Sequence, residues 1–362
     1  MSAPEMTAEA VATEEVLVRR EGATGVLSLN RPRAIHALNL GMVRAMTQAL
    51  LAWRDDPAVA LVVIDHAEGR GFCAGGDIAM MRHSALSDGG AEGRRFFFEE
   101  YRLNHLILTY PKPVVTFMDG ITMGGGVGIS GPATYRIATE ATRLAMPESG
   151  IGLFPDVGGG WYLSRLSGRL GQYLALTGAR LDGAECLWAG LATHYLPSSA
   201  LAEVKAELAA RPDEITAILH RHSVVPGDVK IAAQVGEIDR TFASDSYETI
   251  LGELREEAGR GSEWAGATLA TLHTKSPQTC KVALRQLRDS LDCEDFAANM
   301  AMEYRIASRV LTLPDFAEGV RAVIIDKDNA PQWTPSTPEE VSEDAIDAIF
   351  APLPANEEWT PL

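Results

Sequence analysis

The sequence of 362 residues has no apolar run long enough to cross a bilayer, so no membrane-spanning helix is expected. Its four cysteines, Cys73, Cys186, Cys280 and Cys293, are widely spaced and form no Cys-x-x-Cys pair. Neither a zinc site nor a disulfide framework is indicated, and reduced thiols in a cytoplasmic setting fit best. Positive charge is short: Lys and Arg number 32 against 49 Asp and Glu, a net charge of −17. Nucleic acid is therefore excluded as the main partner, because phosphate backbones need a basic face; a small phosphorylated ligand needs only two or three placed donors. The opening MSAPEMTAEAVATEE has no arginine and several acids, which fits neither a secretory signal nor a transit peptide. Residues 1–14 are expected to form a disordered lead-in. Hydrophobic residues at 46% and charged residues at 22% are ordinary for a soluble globular chain, which at this length buries a sizeable core.

The first half alternates strand and helix. Val16 to Asn30 reads as a hairpin around the Gly-bearing EGATG. Leu40 to Trp53 is helical, with Val43, Met46, Leu50 and Trp53 on one face and Asn39 as N-cap. Val59 to Ile64 and Val114 to Met118 are apolar runs of buried-strand type. Arg94 to Leu108 is an amphipathic helix, and Arg136 to Thr139 and Arg143 to Met146 are short strands flanking a turn. Beyond Leu201, stretches rich in Ala, Glu, Arg and Leu give a mostly helical region. The Pro-rich tail from Asn329 is expected to be loose until a last short helix near Ser342 to Phe350. The resulting division is a 15–200 core, a 201–350 helical region and a 351–362 tail.

Three clusters can carry chemistry: Phe72-Cys73-Ala74-Gly75-Gly76-Asp77, Met123-Gly124-Gly125-Gly126-Val127-Gly128, and Met146-Pro147-Glu148 followed by Gly152 to Gly160. Glycines where a strand turns into a helix leave backbone N–H groups open to a ligand. Two such turns facing each other can aim two amides at one carbonyl oxygen as an oxyanion hole; taken singly, each is only a tight turn. Glu148 and Asp156 flank an apolar Ile-Gly-Leu-Phe-Pro loop, where desolvation raises a carboxyl into the range of a general acid or base. Each reads equally as a cap or an ion pair on its own. Glu99 and Glu100 end the Phe-rich Arg-Arg-Phe-Phe-Phe-Glu-Glu run, and either can line the same pocket or sit ion-paired on the surface. Cys73 lacks an adjacent His and reads as packing. His36 and His105 fall in no triad or metal motif. Gly126 to Gly131 fits G-x-G-x-x-G, but Asp119 to Met123 separate it from the preceding strand and Pro132 follows it at once, which speaks against a dinucleotide fold. Lys112 lies in no P-loop.

LNRPRAIHALN, GFCAGGDI, GITMGGGVGIS and MPESGIGLFPDVGGGWYLSRL, in this order and spacing, resemble the crotonase (enoyl-CoA hydratase/isomerase) superfamily. FFFEEYRLN, the Asp of GLFPDVGG, KSPQTCKVALRQL, MEYRIASRV and FAEGVRAVIIDKDNAPQWTP are similar to its hydrolase branch, which cleaves short 3-hydroxyacyl-CoA thioesters such as 3-hydroxyisobutyryl-CoA in valine breakdown. The resemblance implies an α/β fold: a spiral of ββα turns, perpendicular sheets and a C-terminal helical region. It implies an oxyanion hole at the amides of Gly76 and Gly125, and acidic residues at Glu100, Glu148 and Asp156, with Glu100 on the substrate side. The CoA adenine and 3′-phosphate are expected near Arg33, Ala34, Ala37 and the Ala74–Gly75 backbone. Hydratases of the superfamily use a pair of glutamates on one water; the first falls here at Gly128, so only Glu148 remains. Asp156 stands where hydratases usually have a small residue. No metal or redox cofactor is expected, CoA being part of the substrate. A homo-oligomer is possible, since superfamily cores often form trimers, although the helical extension can cover that face. The competing readings are a hydratase or isomerase on a short acyl-CoA and, further off, a nicotinamide-dependent dehydrogenase or a non-catalytic acyl-CoA-binding protein.

Overall fold

A computed structural model describes residues 14–362; the expected lead-in falls almost wholly outside them. Two sheets carry the first half of the chain. The larger has six strands in the order Val16–Glu21, Thr24–Leu29, Leu61–His66, Val114–Met118, Tyr135–Ala138 and His194–Tyr195. Its first pair is the antiparallel hairpin and every other pairing is parallel. The smaller holds Gly71–Cys73, Ile121–Met123, Arg143–Ala145 and Leu181–Asp182.

The two sheets are built together. Leu61–His66 is followed by Gly71–Cys73, Val114–Met118 by Ile121–Met123, and Tyr135–Ala138 by Arg143–Ala145. Each turn of the chain leaves one strand in the large sheet and the next in the small one. The first two turns then return through helices, Ile78–Ser87 with Ala91–Leu108, and Gly125–Ser130. This is the spiral of ββα turns that the resemblance implied. The strands Arg136 to Thr139 and Arg143 to Met146 therefore flank a turn as expected, yet lie in different sheets rather than pairing.

The long strands are apolar because both faces are covered. All five residues of Val114–Met118 are buried. On one face Leu61, Val63, Val115 and Phe117 pack against Leu201, Val204, Leu208 and Ile218 of the helices Leu201–Ala210 and Ile215–His222. The strand expected at Val59 to Ile64 runs instead over Leu61–His66. Its polar end survives burial because the Asp65 carboxylate accepts from Ser28 Oγ and from Lys205 Nζ at 2.8 Å. Asn39 caps the helix Leu40–Arg54, its side chain accepting from Met42 N.

The tail of residues 351–362 is tied down by its side chains. Trp359 is buried and its Nε1 donates to Phe98 O at 3.1 Å, while Arg305 pairs with Glu358. The aromatic and charged residues of residues 351–362 thus dock onto Ala91–Leu108 and Phe296–Val310, an arrangement that a Pro-rich composition does not reveal. Among the described residues no helix is long and apolar enough to cross a membrane.

Candidate active site

The helix Ala91–Leu108 separates two adjacent glutamates by its 3.6-residue period. Glu99 faces outward and is paired with Arg44 and Arg95. Glu100 turns inward with Phe96, Phe97 and Leu103 and is buried. It ends in a cavity of about 490 Å³, whose walls include Ala74, Gly75, Gly76, Gly124, Gly125, Glu148 and Asp156. The two glycine turns meet there. Leu38 N donates to Gly75 O, and the Gly75 backbone lies against Gly124 and Gly125. Among the described residues, neither the Gly76 nor the Gly125 amide has an acceptor within the chain. Gly125 opens the helix Gly125–Ser130, so its amide is one that a helix start leaves unsatisfied. A Cβ there would stand 2.6 Å from Glu100 Oε1; glycine is what lets that carboxyl reach the turn.

Glu148 begins a single 3₁₀ turn, Glu148–Ile151, directly after the strand Arg143–Ala145 and Met146-Pro147. It is buried, and its Oε2 has no hydrogen-bond partner among the described residues. Asp156 is held by Tyr101, whose hydroxyl donates to Oδ2 at 2.8 Å. Desolvation is the main force on all three acids. It pushes the Glu100 and Glu148 carboxyls well above the usual carboxylate range, with the nearby Asp156 charge adding to both. Asp156 is pushed up to about 7, the Tyr101 hydrogen bond working against burial. None of the three forms a salt bridge among the described residues. Buried carboxyls that repel one another and form no salt bridge hold protons above the ordinary carboxylate range, the condition for acid and base work at one site.

Of the other residues that the sequence points to, Ala74 and Gly75 line the cavity. Arg33, Ala34 and Ala37 do not line it, but stand on the adjoining loop. That loop is stitched to the first glycine turn by Ala74 N to Ile35 O at 2.9 Å and Arg31 Nη2 to Asp77 Oδ2 at 2.8 Å. Cys73 is fully buried, and burial pushes its thiol up to about 12, so it packs. His36 is buried with Nδ1 accepting from Arg31 N. His105 stacks on Phe296. The Gly126 to Gly131 segment belongs to a short helix within the second ββα turn and is not a dinucleotide loop. Glu203, Glu207 and His222 could ligate a metal by spacing, but Glu207 is already shared by Arg211 and Arg221, and none of the three lines the cavity.

Sequence reasoning missed Tyr101, Lys275 and Arg180. Lys275 and Arg180 line the cavity, and neither has an acid partner among the described residues. It also missed the cover formed by Val323, Ile324, Asn329 and Pro331. Tyr101 and Lys275 lie inside motifs that carried the resemblance, FFFEEYRLN and KSPQTCKVALRQL, so their stretches were visible while their roles were not. The cover residues likewise lie inside FAEGVRAVIIDKDNAPQWTP, and only Arg180 falls outside every quoted stretch.

A family model described as enoyl-CoA hydratase/isomerase matches residues 24–350. The chain belongs to this family, the crotonases. Within it, the mitochondrial 3-hydroxyisobutyryl-CoA hydrolase of Xenopus tropicalis is 43% identical, over 96% of this chain and 91% of the relative. The mitochondrial enzyme of the same name from Homo sapiens is 40% identical, over 94% and 90%. Among solved structures, a carnitinyl-CoA dehydratase from Mycobacterium thermoresistibile superposes with a TM-score of 0.90 at 41% identity, covering 96% of this chain and 99% of that one. An enoyl-CoA hydratase from Rhodobacter sphaeroides 2.4.1 gives 0.89 at 36%, with the same coverage. The names divide between hydrolysis and hydration, and the crotonase fold serves both; the side chains in the cavity discriminate.

Position 128 is where they do so. A Cβ on Gly128 would lie 2.6 Å from Val157 Cβ and 3.0 Å from Asn104 Nδ2. The space that a hydratase's first glutamate needs is filled by Val157, the residue after Asp156, and by Asn104, one turn beyond Glu100. Gly128→Glu is therefore expected to destabilise the fold by about 2–3 kcal/mol through overpacking and to confer no hydration of crotonyl-CoA. Thermal unfolding and the ultraviolet absorbance of crotonyl-CoA check the two halves. A fully stable variant that consumes crotonyl-CoA would mean that the cavity admits the hydratase arrangement.

Proposed function

We propose that this crotonase hydrolyses a short 3-hydroxyacyl-CoA thioester, first of all 3-hydroxyisobutyryl-CoA, to 3-hydroxyisobutyrate and CoA. The observation that carries this reading is the set of three buried carboxyls, Glu100, Glu148 and Asp156, around two open glycine amides, with the first hydratase glutamate sterically barred at Gly128. The amides of Gly76 and Gly125 hold the thioester oxygen as it gains charge; one such donor is worth about 2.7–4 kcal/mol of barrier. In its ionised form Glu148, whose Oε2 is unpaired among the described residues, either takes a proton from the attacking water or attacks the carbonyl itself to form an anhydride that water then opens. In both routes the C–S bond breaks, water supplies the new C–O bond, and a proton passes to the CoA thiolate. Asp156, pushed up to about 7 and so partly protonated, delivers that proton in this reading, and with Glu100 it binds the 3-hydroxyl. Lys275 and Arg180 give the cavity the positive charge that a CoA phosphate seeks, beside the loop of Arg33, Ala34 and Ala37.

The names of the relatives support the same activity, since the two described above are 3-hydroxyisobutyryl-CoA hydrolases. They are also named as mitochondrial. A cytoplasmic location for this chain rests only on its four free thiols, and fractionation of its native cells decides between the two. The activity is tested by thiol release over a small panel of acyl-CoA esters. Free CoA should appear with 3-hydroxyisobutyryl-CoA, and crotonyl-CoA should keep its absorbance. Consumption of crotonyl-CoA without thiol release would make this a hydratase instead.

A further inference from the structure

Asp156 lies on a loop with one tight turn of its own, Gly159 N donating to Asp156 O at 2.7 Å, and its side chain is met by Tyr101. Val157 adopts φ +53°, a left-handed conformation that disfavours a β-branched side chain, and Gly158 follows at +89°. Further restraint on the backbone either side of Asp156 comes from two helices far along the chain. From Phe296–Val310, the Glu303 carboxylate accepts from Gly158 N at 2.7 Å through Oε2 and from Gly160 N at 3.0 Å through Oε1. From Pro277–Leu291, Gln286 Nε2 donates to Pro155 O at 2.7 Å and to Glu303 Oε1 at 3.0 Å. Asn299 Nδ2 supplies a fourth donor to Glu303 at 2.9 Å. Glu303 is wholly buried, and no cation pairs with it among the described residues. Pro155 is thus pinned on one side of Asp156 and Gly158 on the other, both by side chains outside the ββα spiral.

We infer that Glu303, seconded by Gln286, is a positioning residue that fixes Asp156 toward the substrate. This rests on the role proposed above for Asp156. Four N–H groups and no O–H point at Glu303, so its hydrogen bonds favour the ionised form while burial pushes the carboxyl up to about 8; a carboxamide would set its NH₂ against the Gly158 amide. A buried carboxylate is an expensive way merely to tie helices to a loop, whereas rigid placement of a reacting group is what such supporting hydrogen bonds supply. The C-terminal helical region then completes the site rather than only covering the sheet.

The test is a double-mutant cycle on kcat for CoA release from 3-hydroxyisobutyryl-CoA. Glu303→Gln is expected to lower kcat by roughly 30-fold with KM changed less than about threefold, since small misplacements of a reacting group act on turnover. Gln286→Leu, which keeps the volume and removes an oxygen that has no partner, should lower it by roughly fivefold. In the Asp156→Asn background neither substitution should reduce kcat further. Losses that multiply with that of Asp156→Asn, or a rise in KM at unchanged kcat, would show a structural role and overturn the inference. If Glu303→Gln does not fold, the Gln286→Leu arm separates the same two outcomes. Full activity of Asp156→Asn alone would instead overturn the reading of Asp156, and the positioning role with it.

Discussion

Glu148→Gln is expected to reduce the kcat for CoA release by about a thousandfold while leaving KM within a few-fold of the parent, the scale of losing a general base or nucleophile. Glutamine has the same shape, so the oxyanion amides and the acyl pocket stay in place; only the capacity to accept a proton or to attack is removed. The same substitution has a second, opposite signature. Burial, together with the charge of Asp156, raises the Glu148 carboxyl above its ordinary range. The folded protein therefore holds a proton there that the unfolded chain releases. Stability from this group is complete below the ordinary carboxylate range and is lost as the pH rises toward the raised value. Removing the ionisable group removes that loss. The variant should match the parent in Tm near pH 4 and exceed it by a few degrees near pH 8. Thiol-release kinetics and thermal melts across pH check both parts together. Retained hydrolysis would eliminate Glu148 from either chemical role, and a Tm difference independent of pH would mean that its carboxyl is not desolvated as described.

The pairing of lost activity with gained stability follows from how the site is assembled, and so does what the sequence could and could not reveal. Apolar runs such as Val114–Met118 were legible because a parallel strand covered on both faces needs nothing else. The glycine turns were legible as openings at strand ends, and the motif order tied them together through the family resemblance. Glu99 and Glu100 were separable only through the family resemblance, which pointed to Glu100; composition alone leaves both behind three phenylalanines, and the helix phase is what sends Glu99 to Arg44 and Glu100 to the cavity. Strand partners were also hidden. Nothing in Arg143–Ala145 states that it joins Ile121–Met123 rather than its neighbour Tyr135–Ala138, because that choice is made by the spiral as a whole. The least legible layer is the support from distant helices. Glu303 sits in a helix whose pattern is otherwise that of ordinary packing, and a lone buried acid on an apolar face carries no sign of the amides it meets.

Asp156→Asn is expected to discriminate between substrates in a way that no general weakening of the site would. Tyr101 donates to Oδ2, so asparagine keeps its carbonyl oxygen on that side and turns its NH₂ toward the cavity. With Tyr101 on Oδ2, Oδ1 is the oxygen that remains to accept from a 3-hydroxyl in the parent. Losing a hydrogen bond to a charged acceptor is worth about 2 kcal/mol, or roughly 30-fold in kcat/KM, for 3-hydroxyisobutyryl-CoA. Isobutyryl-CoA has no hydroxyl to present and should lose only what proton delivery to the leaving thiolate contributes, since asparagine cannot supply that proton. The ratio of the two kcat/KM values isolates the hydroxyl contact, because the leaving group is the same CoA in both. A ratio that falls from parent to variant assigns Asp156 to the hydroxyl, and a ratio that stays constant leaves it only the leaving group. Tyr101→Phe gives the complementary measurement. It removes the donor that opposes burial, so the Asp156 carboxyl should rise further above 7 and the basic limb of the pH–rate profile should move upward. An unmoved limb would mean that the titration belongs to another of the three acids.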